Sequence, residues 1–371
     1  MKGTVLITGG AGFIGSHVAS ELLEAGYHVR VLDSLVSQVH GNSPSRPAYL
    51  HKDAELVLGD VRDPDVLEDA LSGVDAVYHF VALVGVGQSM YQISEYTSVN
   101  NVGTATLLEQ LVKRPVDKLV VASSMSVYGE GRYLTPDGQP CDQVIRGAAQ
   151  LKAHQWEMTT PDGVPLRPVA TPEEKQPSLA SVYALSKYDQ EQMCLMVGRA
   201  YGIPTVALRF FNVYGPHQSL SNPYTGVLAI FGSRLLNGKR PIIFEDGKQL
   251  RDFVSVYDIA QACRLALEKE NAKDLVFNIG SGETVTVTSV AERLAKVLGK
   301  HIEPEVSGNY RVGDIRHCFP NISRARSVLG YKPAFTLEQG MRELAEWLDR
   351  QTADDRFNEM RAELSARGLV V

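Results

Sequence analysis

The sequence predicts a doubly wound α/β fold, a parallel sheet with helices on both faces, joined to a smaller lobe drawn mainly from the C-terminal half. Three observations carry this. Apolar β-branched runs such as "TVLITG" (4–9) show no polar alternation, as strands buried on both faces require. Such a run is followed by a segment whose apolar residues recur at helical spacing. The strand–helix beat holds to residue 124, returns at 205 and 275, and lapses elsewhere.

The elements follow in order. The first run leads into "FIGSHVASELLEAG", where Ile14, Val18 and Leu22 share a helical face and Gly26 ends the helix. Further strands are predicted at "HVRVLD" (28–33), "AELVLGD" (54–60), "AVYHFVA" (76–82), "KLVVASS" (118–124), "TVALRFF" (205–211) and "LVFNIG" (275–280). Helices are predicted from Asp63 to Leu71 and around 99–113. Residues 130–178, rich in proline and polar side chains, read as a surface insertion, with one helical turn at "AAQLKAHQWEM" docking Leu151 and Trp156 on the body. The expected domains are 1–210, to which 253–280 returns, and a lobe from 211–252 and 281–345. Residues 346–371 read as a charged amphipathic helix, solvated rather than partner-binding.

Composition excludes several classes. A chain of 371 residues exceeds one ordinary core, which favours two domains. At 44% hydrophobic and 22% charged it is an ordinary globular chain. A net charge of −6 argues against a nucleic-acid partner, which calls for a basic footprint. Cys141, Cys194, Cys263 and Cys318 lie far apart with no CxxC pair, as reduced cytosolic thiols would. The N-terminal run meets glycines too early for a signal peptide, and "VDAVYHFVALVGVG" (74–87) is too short to span a bilayer. The expectation is a soluble, cytoplasmic protein with no membrane partner.

"TGGAGFIG" brings Gly9, Gly12, Phe13, Ile14 and Gly15 to the turn between the first strand and its helix. Glycines there let backbone approach a pyrophosphate, whose charge the helix N-terminus stabilises. Asp33 ends the second strand eighteen residues after Gly15, close to the ~20 expected for an acid gripping the adenosine ribose. Its carboxylate would repel a 2′-phosphate, and no arginine stands in "LDSLVS", so the cofactor is expected to be NAD rather than NADP. The sheet is then Rossmann-type. Asp60 and Val61 follow the third strand, placed for the adenine ring, and Phe80, Val81, Ala82 and Leu83 would wall the pyrophosphate and nicotinamide ribose.

"SSMSVYG" (123–129) follows a buried strand, whose C-terminal end opens into the ligand crevice. In "PSLASVYALSKYDQEQ" (177–192) Tyr183 and Lys187 are one helical turn apart. Ser124, Tyr183 and Lys187 can therefore meet over a nicotinamide. A phenol near pKa 10 is a poor base at neutral pH. An ammonium within a few ångströms and the positive ring favour the phenolate and lower that pKa.

These features with "RFFNVYGP" (209–216) resemble the extended short-chain dehydrogenase/reductases acting on nucleotide sugars, from residue 2 to about 345. In that family the 4,6-dehydratases carry Thr-Asp-Glu, and the uronate decarboxylases a glutamate, where this chain has Ser124, Met125 and Ser126. Neither Met nor Ser protonates a leaving hydroxyl, so the resemblance implies a 4-epimerase. It further implies that Asn212 meets a phosphate or glycosyl oxygen, and that Arg251 and Arg311 clamp the diphosphate. Ile242, Ile243 and Phe244 would sandwich the pyrimidine, Asp314 would bond a nucleoside hydroxyl, and Cys318 would set the width of the sugar pocket. The insertion and "GPHQSLSNPYTGVLAIF" resemble the epimerases that convert dTDP-L-rhamnose to dTDP-6-deoxy-L-talose. UDP-glucose and UDP-glucuronate 4-epimerases, a 4,6-dehydratase, and a non-catalytic NAD-binding sensor are the alternatives. Some relatives carry paired insertion cysteines suited to zinc; here Cys141 with His154 makes two ligands, so no metal is expected. The family also implies a homodimer, paired through the helices around 99–113 and 183–201.

Overall fold

Seven parallel strands form the main sheet: β1 (Thr4–Thr8), β2 (His28–Asp33), β3 (Glu55–Leu58), β4 (Ala76–His79), β5 (Lys118–Ser124), β6 (Thr205–Phe210) and β7 (Val276–Ile279). The structure, a computed structural model, describes residues 2–41 and 45–371. Strand order is β3-β2-β1-β4-β5-β6-β7. Order reverses between β1 and β4, and a crevice opens beyond their C-terminal ends.

The helices used below are α1 (Phe13–Glu24), α2 (Pro64–Ala70), α3 (Gly103–Lys113), α4 (Val182–Tyr201), α5 (Val227–Leu236), α6 (Val256–Glu268), α7 (Val287–Val297), α8 (Leu337–Leu348) and α9 (Phe357–Ala366). Along β1 the side chains alternate between two cores. Val5 and Ile7 pack with Val18 and Leu22 of α1 and Ile259 of α6, while Leu6 packs with Leu67 of α2, Leu107 of α3 and Leu195 of α4. Both faces are dry, which is why the strands carry no polar alternation.

β3 and β4 are shorter than the expected 54–60 and 76–82. After Leu58 and His79 the chain leaves the sheet and lines the crevice with Asp60, Val61, Phe80, Val81 and Ala82. The helix expected around 99–113 is α3, preceded by a wider π-helical turn over Thr97–Val102. Such turns re-aim side chains at functional sites. Here Asn100 is turned inward to accept from Leu83 N at 2.8 Å and donate to Leu83 O at 3.1 Å.

The lobe packs α5, α7 and α8 around Phe231, Leu294, Met341 and Leu344. Segment 253–280 runs back to the sheet, with α6 sharing a core with α1 and β7 adding the last strand beside β6.

Two expectations need correction. The insertion has a small antiparallel sheet, Arg132–Leu134 between Pro140–Cys141 and Arg167–Val169, over its own core of Tyr133, Val144, Met158 and Leu166. Leu151 is only half-buried in the short helix Ala148–Lys152, and Trp156 reaches Tyr310 at 6.3 Å between ring centroids. The insertion is held to the lobe by backbone bonds, Gly131 N to His317 O at 2.7 Å and Thr171 N to Phe319 O at 2.8 Å, and by charge. Arg146 meets Glu245 at 2.6 Å, and fully buried Arg316 bonds Glu157, Glu245 and Asp246.

The tail is neither one helix nor solvated. Residue 346 falls inside α8, and after a break α9 buries Phe357, Met360 and Leu364 against Ile242 and Phe244. The residues at i, i+3 and i+7 make an apolar stripe that the charged remainder concealed. The last residues then run beside 310–312: Tyr310 and Val371 exchange backbone bonds at 2.9 and 3.0 Å, and Val312 N donates to Leu369 O at 3.0 Å.

Candidate active site

The crevice continues between sheet and lobe as one cleft of about 640 Å³. All but one of the residues assigned to a site from the sequence line it, from Gly9 in the first turn to Asp314 in the lobe. Cys318 does not. It is buried beneath Met125 and Phe211 and touches the cleft only through them.

At the dinucleotide end, three glycines have three different reasons. Gly9 has φ +70°, and a Cβ there would stand 2.8 Å from Val81 backbone. A Cβ on Gly15 would meet Gly10 Cα at 2.5 Å, so it allows α1 to sit close to β1. A Cβ on Gly12 would meet only Gly9 O, at 3.3 Å, and Gly12 faces the cleft. The first turn of α1 has no side-chain cap, which leaves the N–H groups over Phe13 and Ile14 for an anion. This is a cradle shaped for a pyrophosphate, and the residues present fit NAD.

Asp33 is held by Ala11 N at 3.1 Å and Leu35 N at 2.9 Å, with His40 at 3.7 Å. Sequence reasoning missed His40, which the short helix Ser37–His40 folds back onto the acid. Asp60 is paired with Arg62 at 2.6 Å, and those bonds hold its carboxyl below the usual range. Its carboxylate is thus shared with Arg62 on the wall assigned to adenine.

At the centre, Ser181 caps α4 by accepting from Ala184 N at 3.0 Å, which sets Tyr183 in the first turn and Lys187 one turn on. β5 delivers Ser124 at its C-terminal end, into the same cleft that Tyr183 lines. Ser124 Oγ accepts from Ser126 Oγ at 2.9 Å and Ser126 N at 3.1 Å, a role for Ser126 that the sequence reading did not give it. Burial pushes the Lys187 amine down to about 8. Burial also pushes the Tyr183 phenol up, and the Ser124 hydroxyl offsets only part of this. The expected fall of the phenol pKa is therefore not a property of the chain alone: enclosure opposes it, and Lys187 donates to Gln190 Oε1 at 2.7 Å.

At the lobe end, Arg251 donates to the carbonyls of Leu250, Ile315 and Arg316. Three carbonyls fix its plane and leave part of the guanidinium fork for a ligand. Arg311 stacks over Phe244 at 4.9 Å and pairs with Asp314 at 2.9 Å. Burial raises the Asp314 carboxyl, but the Arg311, Arg251 and Arg146 charges outweigh it and hold the carboxyl low. Asn212 gives its Nδ2 to Asp252 O at 2.8 Å, leaving the amide oxygen as its free face. α9 adds Phe357, Met360 and Leu364 to the wall beside Ile242 and Phe244. Among the described residues, no group of three or more His, Cys, Asp or Glu is gathered to hold a metal, and no helix is long and apolar enough to cross a membrane. Cys141 lies on the edge of the insertion core, and the His154 ring lies tilted against Trp156, 5.1 Å between centroids.

The family model for the NAD dependent epimerase/dehydratase family matches residues 5–144 and 159–280, and the gap between falls inside the insertion. The chain is 39% identical over 352 residues to a dTDP-L-rhamnose 4-epimerase of Burkholderia thailandensis, covering 94% of this chain and 95% of that protein. It is 34% identical to a putative UDP-glucose 4-epimerase of Methanocaldococcus jannaschii, covering 93% and 98%. The fold matches the crystal structure of the Thermotoga maritima UDP-glucose 4-epimerase with UDP-glucose at a TM-score of 0.76 and 30% identity, over 94% of this chain and 99% of that one. It matches UDP-glucuronic acid 4-epimerase of Bacillus cereus, solved with UDP-glucuronic acid and NAD, at 0.76 and 27%, again over 94% and 99%.

Proposed function

The chain belongs to the NAD dependent epimerase/dehydratase family, and from that premise we propose that it inverts C4 of a nucleotide-linked sugar, interconverting dTDP-L-rhamnose and dTDP-6-deoxy-L-talose. One observation carries the reaction type. Ser124, Tyr183 and Lys187 line the same cleft, and the residues after Ser124 are Met125 and Ser126, with no carboxylic acid to expel water.

NAD, held at Gly12 and Asp33, would supply a reversible hydride acceptor for C4 and a positive charge that favours the Tyr183 phenolate. Tyr183, as phenolate, removes the proton of the 4-hydroxyl and later gives it back. Ser124 holds the same oxygen, its hydroxyl proton directed by the two bonds from Ser126. Lys187, buried one helical turn beyond Tyr183, would supply the ammonium that favours the phenolate.

The 4-keto sugar must turn about its diphosphate between the two hydride steps. That calls for a firm hold on the nucleotide and a loose one on the sugar. Arg251 and Arg311 supply the first, with Phe244, Ile242 and Asp314 around the base and ribose. Asp33 takes the adenosine ribose and Gly12 the pyrophosphate.

The family's pairing of subunits is supported by exposed apolar side chains on the elements concerned. Val102 before α3 and Leu185 and Met196 on α4 are each about half exposed. We expect scattering to give twice the chain's 40.6 kDa.

The test of the substrate is a panel of dTDP- and UDP-sugars read by NMR. A new C4 epimer of dTDP-L-rhamnose supports the assignment, and turnover of UDP-glucose or UDP-glucuronate alone moves it to those sugars. Loss of the 6-hydroxyl from a product, or NADH released in step with turnover, overturns epimerisation.

A further inference from the structure

Lys187 is buried, and its environment offers it little. Glu191, the nearest acid on α4, is bound to Arg209 at 2.7 Å and Ser123 at 2.6 Å. Cys194 is pushed up to about 12 by burial, so it is a neutral thiol. His79 on β4 is pushed down to about 3 by burial, so it is a neutral ring. Tyr183 lies one turn back on the same helix. Among the described residues, the hydrogen-bond acceptor of the ammonium is Gln190 Oε1, at 2.7 Å.

A carboxamide can flip, and if it did the ammonium would face an NH₂ group. Here its orientation is fixed. Gln190 Nε2 donates to Thr104 Oγ1 at 2.9 Å and Val81 O at 3.2 Å. Thr104 in turn donates its hydroxyl proton to Asn100 O, so its oxygen is free to accept. His79 Nε2 lies 2.8 Å from that oxygen and Nδ1 2.9 Å from Thr8 Oγ1. The consistent arrangement has Thr8 donating to Nδ1 and Nε2–H donating to Thr104. Gln190, Thr104, His79 and Thr8 are all fully buried. A flipped amide would oppose its oxygen to Val81 O and strand two donors, each costing a hydrogen bond in a dry site.

We infer that Gln190 is the positioning residue for Lys187: a locked amide dipole, carried from the β1–β4 floor through Thr8, His79 and Thr104, that aims the ammonium at the Tyr183 side of the cleft and keeps it charged without adding a counter-charge. This rests on the proton-transfer role proposed above for Tyr183 and Lys187. A carboxylate at this position would neutralise the ammonium that the phenolate needs; an apolar side chain would let it lose its proton.

The test is a pH titration of the NAD-loaded protein, with the Tyr183→Phe protein subtracted, following tyrosinate absorbance. Gln190→Met is expected to move the Tyr183 titration up by about one pH unit, and to move the alkaline limb of kcat, where Lys187 deprotonates, down by a similar amount. Gln190→Glu is expected to move the Tyr183 titration up and the alkaline limb up. Both should lower kcat by about tenfold with KM nearly unchanged. A residue that only packed would lower the active fraction and move neither limb. Unmoved titration and limbs in Gln190→Met with full NAD content overturn the inference. If the Gln190 variants lose NAD, Thr104→Val decides: it frees the amide to flip, and should move the Tyr183 titration up by a smaller amount, no movement overturning the inference. The absorbance titration uses no sugar. Failure of the parent enzyme on every sugar therefore sinks the substrate reading alone.

Discussion

Ser126 Oγ stands 2.9 Å from Ser124 Oγ and donates to it, while Ser126 N donates to the same atom at 3.1 Å. Ser124 thus has its acceptor side filled and one proton left to give, toward Tyr183 and the oxygen between them. Ser126→Ala should let that hydroxyl rotate away and lower kcat by about tenfold, with KM nearly unchanged, in steady-state assays. Equal loss in kcat/KM through KM alone would mean that Ser126 acts on binding instead.

Tyr183→Phe removes the proposed acid–base group and should lower kcat by ~10²–10⁴. The phenyl ring keeps the packing of α4, so NAD released on denaturation should equal that of the parent enzyme. Activity within a few-fold of the parent would place the proton transfer elsewhere.

The Lys187 amine, held down to about 8 by burial, gives the pH dependence its sign. Below that pH the ammonium is present and supports the phenolate; above it the charge is lost. The pH profile of kcat should therefore fall on the alkaline side near pH 8, and Lys187→Met should abolish that limb while moving the acid limb upward. A profile flat through pH 9 in the parent enzyme would contradict this assignment.

Asp33, proposed to select the cofactor, also anchors the turn at Ala11 and Leu35. Asp33→Ala should weaken NAD binding by about tenfold and lessen discrimination against NADP. Calorimetric titration of the stripped protein with each dinucleotide measures both, and unchanged affinities would remove Asp33 from the ribose.

Arg316 has no exposed surface and joins Glu157 of the insertion to Glu245 and Asp246 of the lobe. Arg316→Met removes the only ion partner of Asp246 among the described residues and leaves Glu245 to Arg146 and Glu157 to His317, so it should cost about 1–3 kcal/mol in chemical denaturation. Acid should loosen the same joint. His317 and Arg316 hold the Glu157 carboxyl down to about 2, so its contribution is complete above the ordinary glutamate range and lost as pH falls toward 2. Protease sensitivity confined to 130–178 at low pH is the expected sign.

The sheet was legible because a strand buried on both faces writes its burial into consecutive residues. β1 and β5 do this, and the glycine turn after β1 has a mechanical reason at each position. Ser124, Tyr183 and Lys187 were legible because one lies at a strand end and the others a helical turn apart. What the sequence concealed was pairing at long range. Arg316 and Glu157 are 159 residues apart, and nothing in either neighbourhood announces the other. Gln190 looks like any polar residue of a helix until Thr104 and Val81 fix its amide. In α9 three apolar residues among charges read as a surface helix, and only Ile242 and Phe244 on the facing wall give them a partner.

That last helix touches both sides of the cleft. Leu364 lies where a Cβ on Gly87 would meet it at 3.1 Å, and Glu363 accepts from Tyr224, whose hydroxyl is 2.7 Å from that of Tyr91. The same segment is bonded to 310–312 on the lobe. A ketone that escapes midway through turnover leaves behind a reduced cofactor with nothing to reduce, and that enzyme molecule is finished. A helix bonded to both sides should slow that escape, an effect expected to show in turnovers before failure rather than in rate. Weakening it with Leu364→Ala should leave the first turnovers nearly as fast, yet make progress curves sag as trapped NADH accumulates.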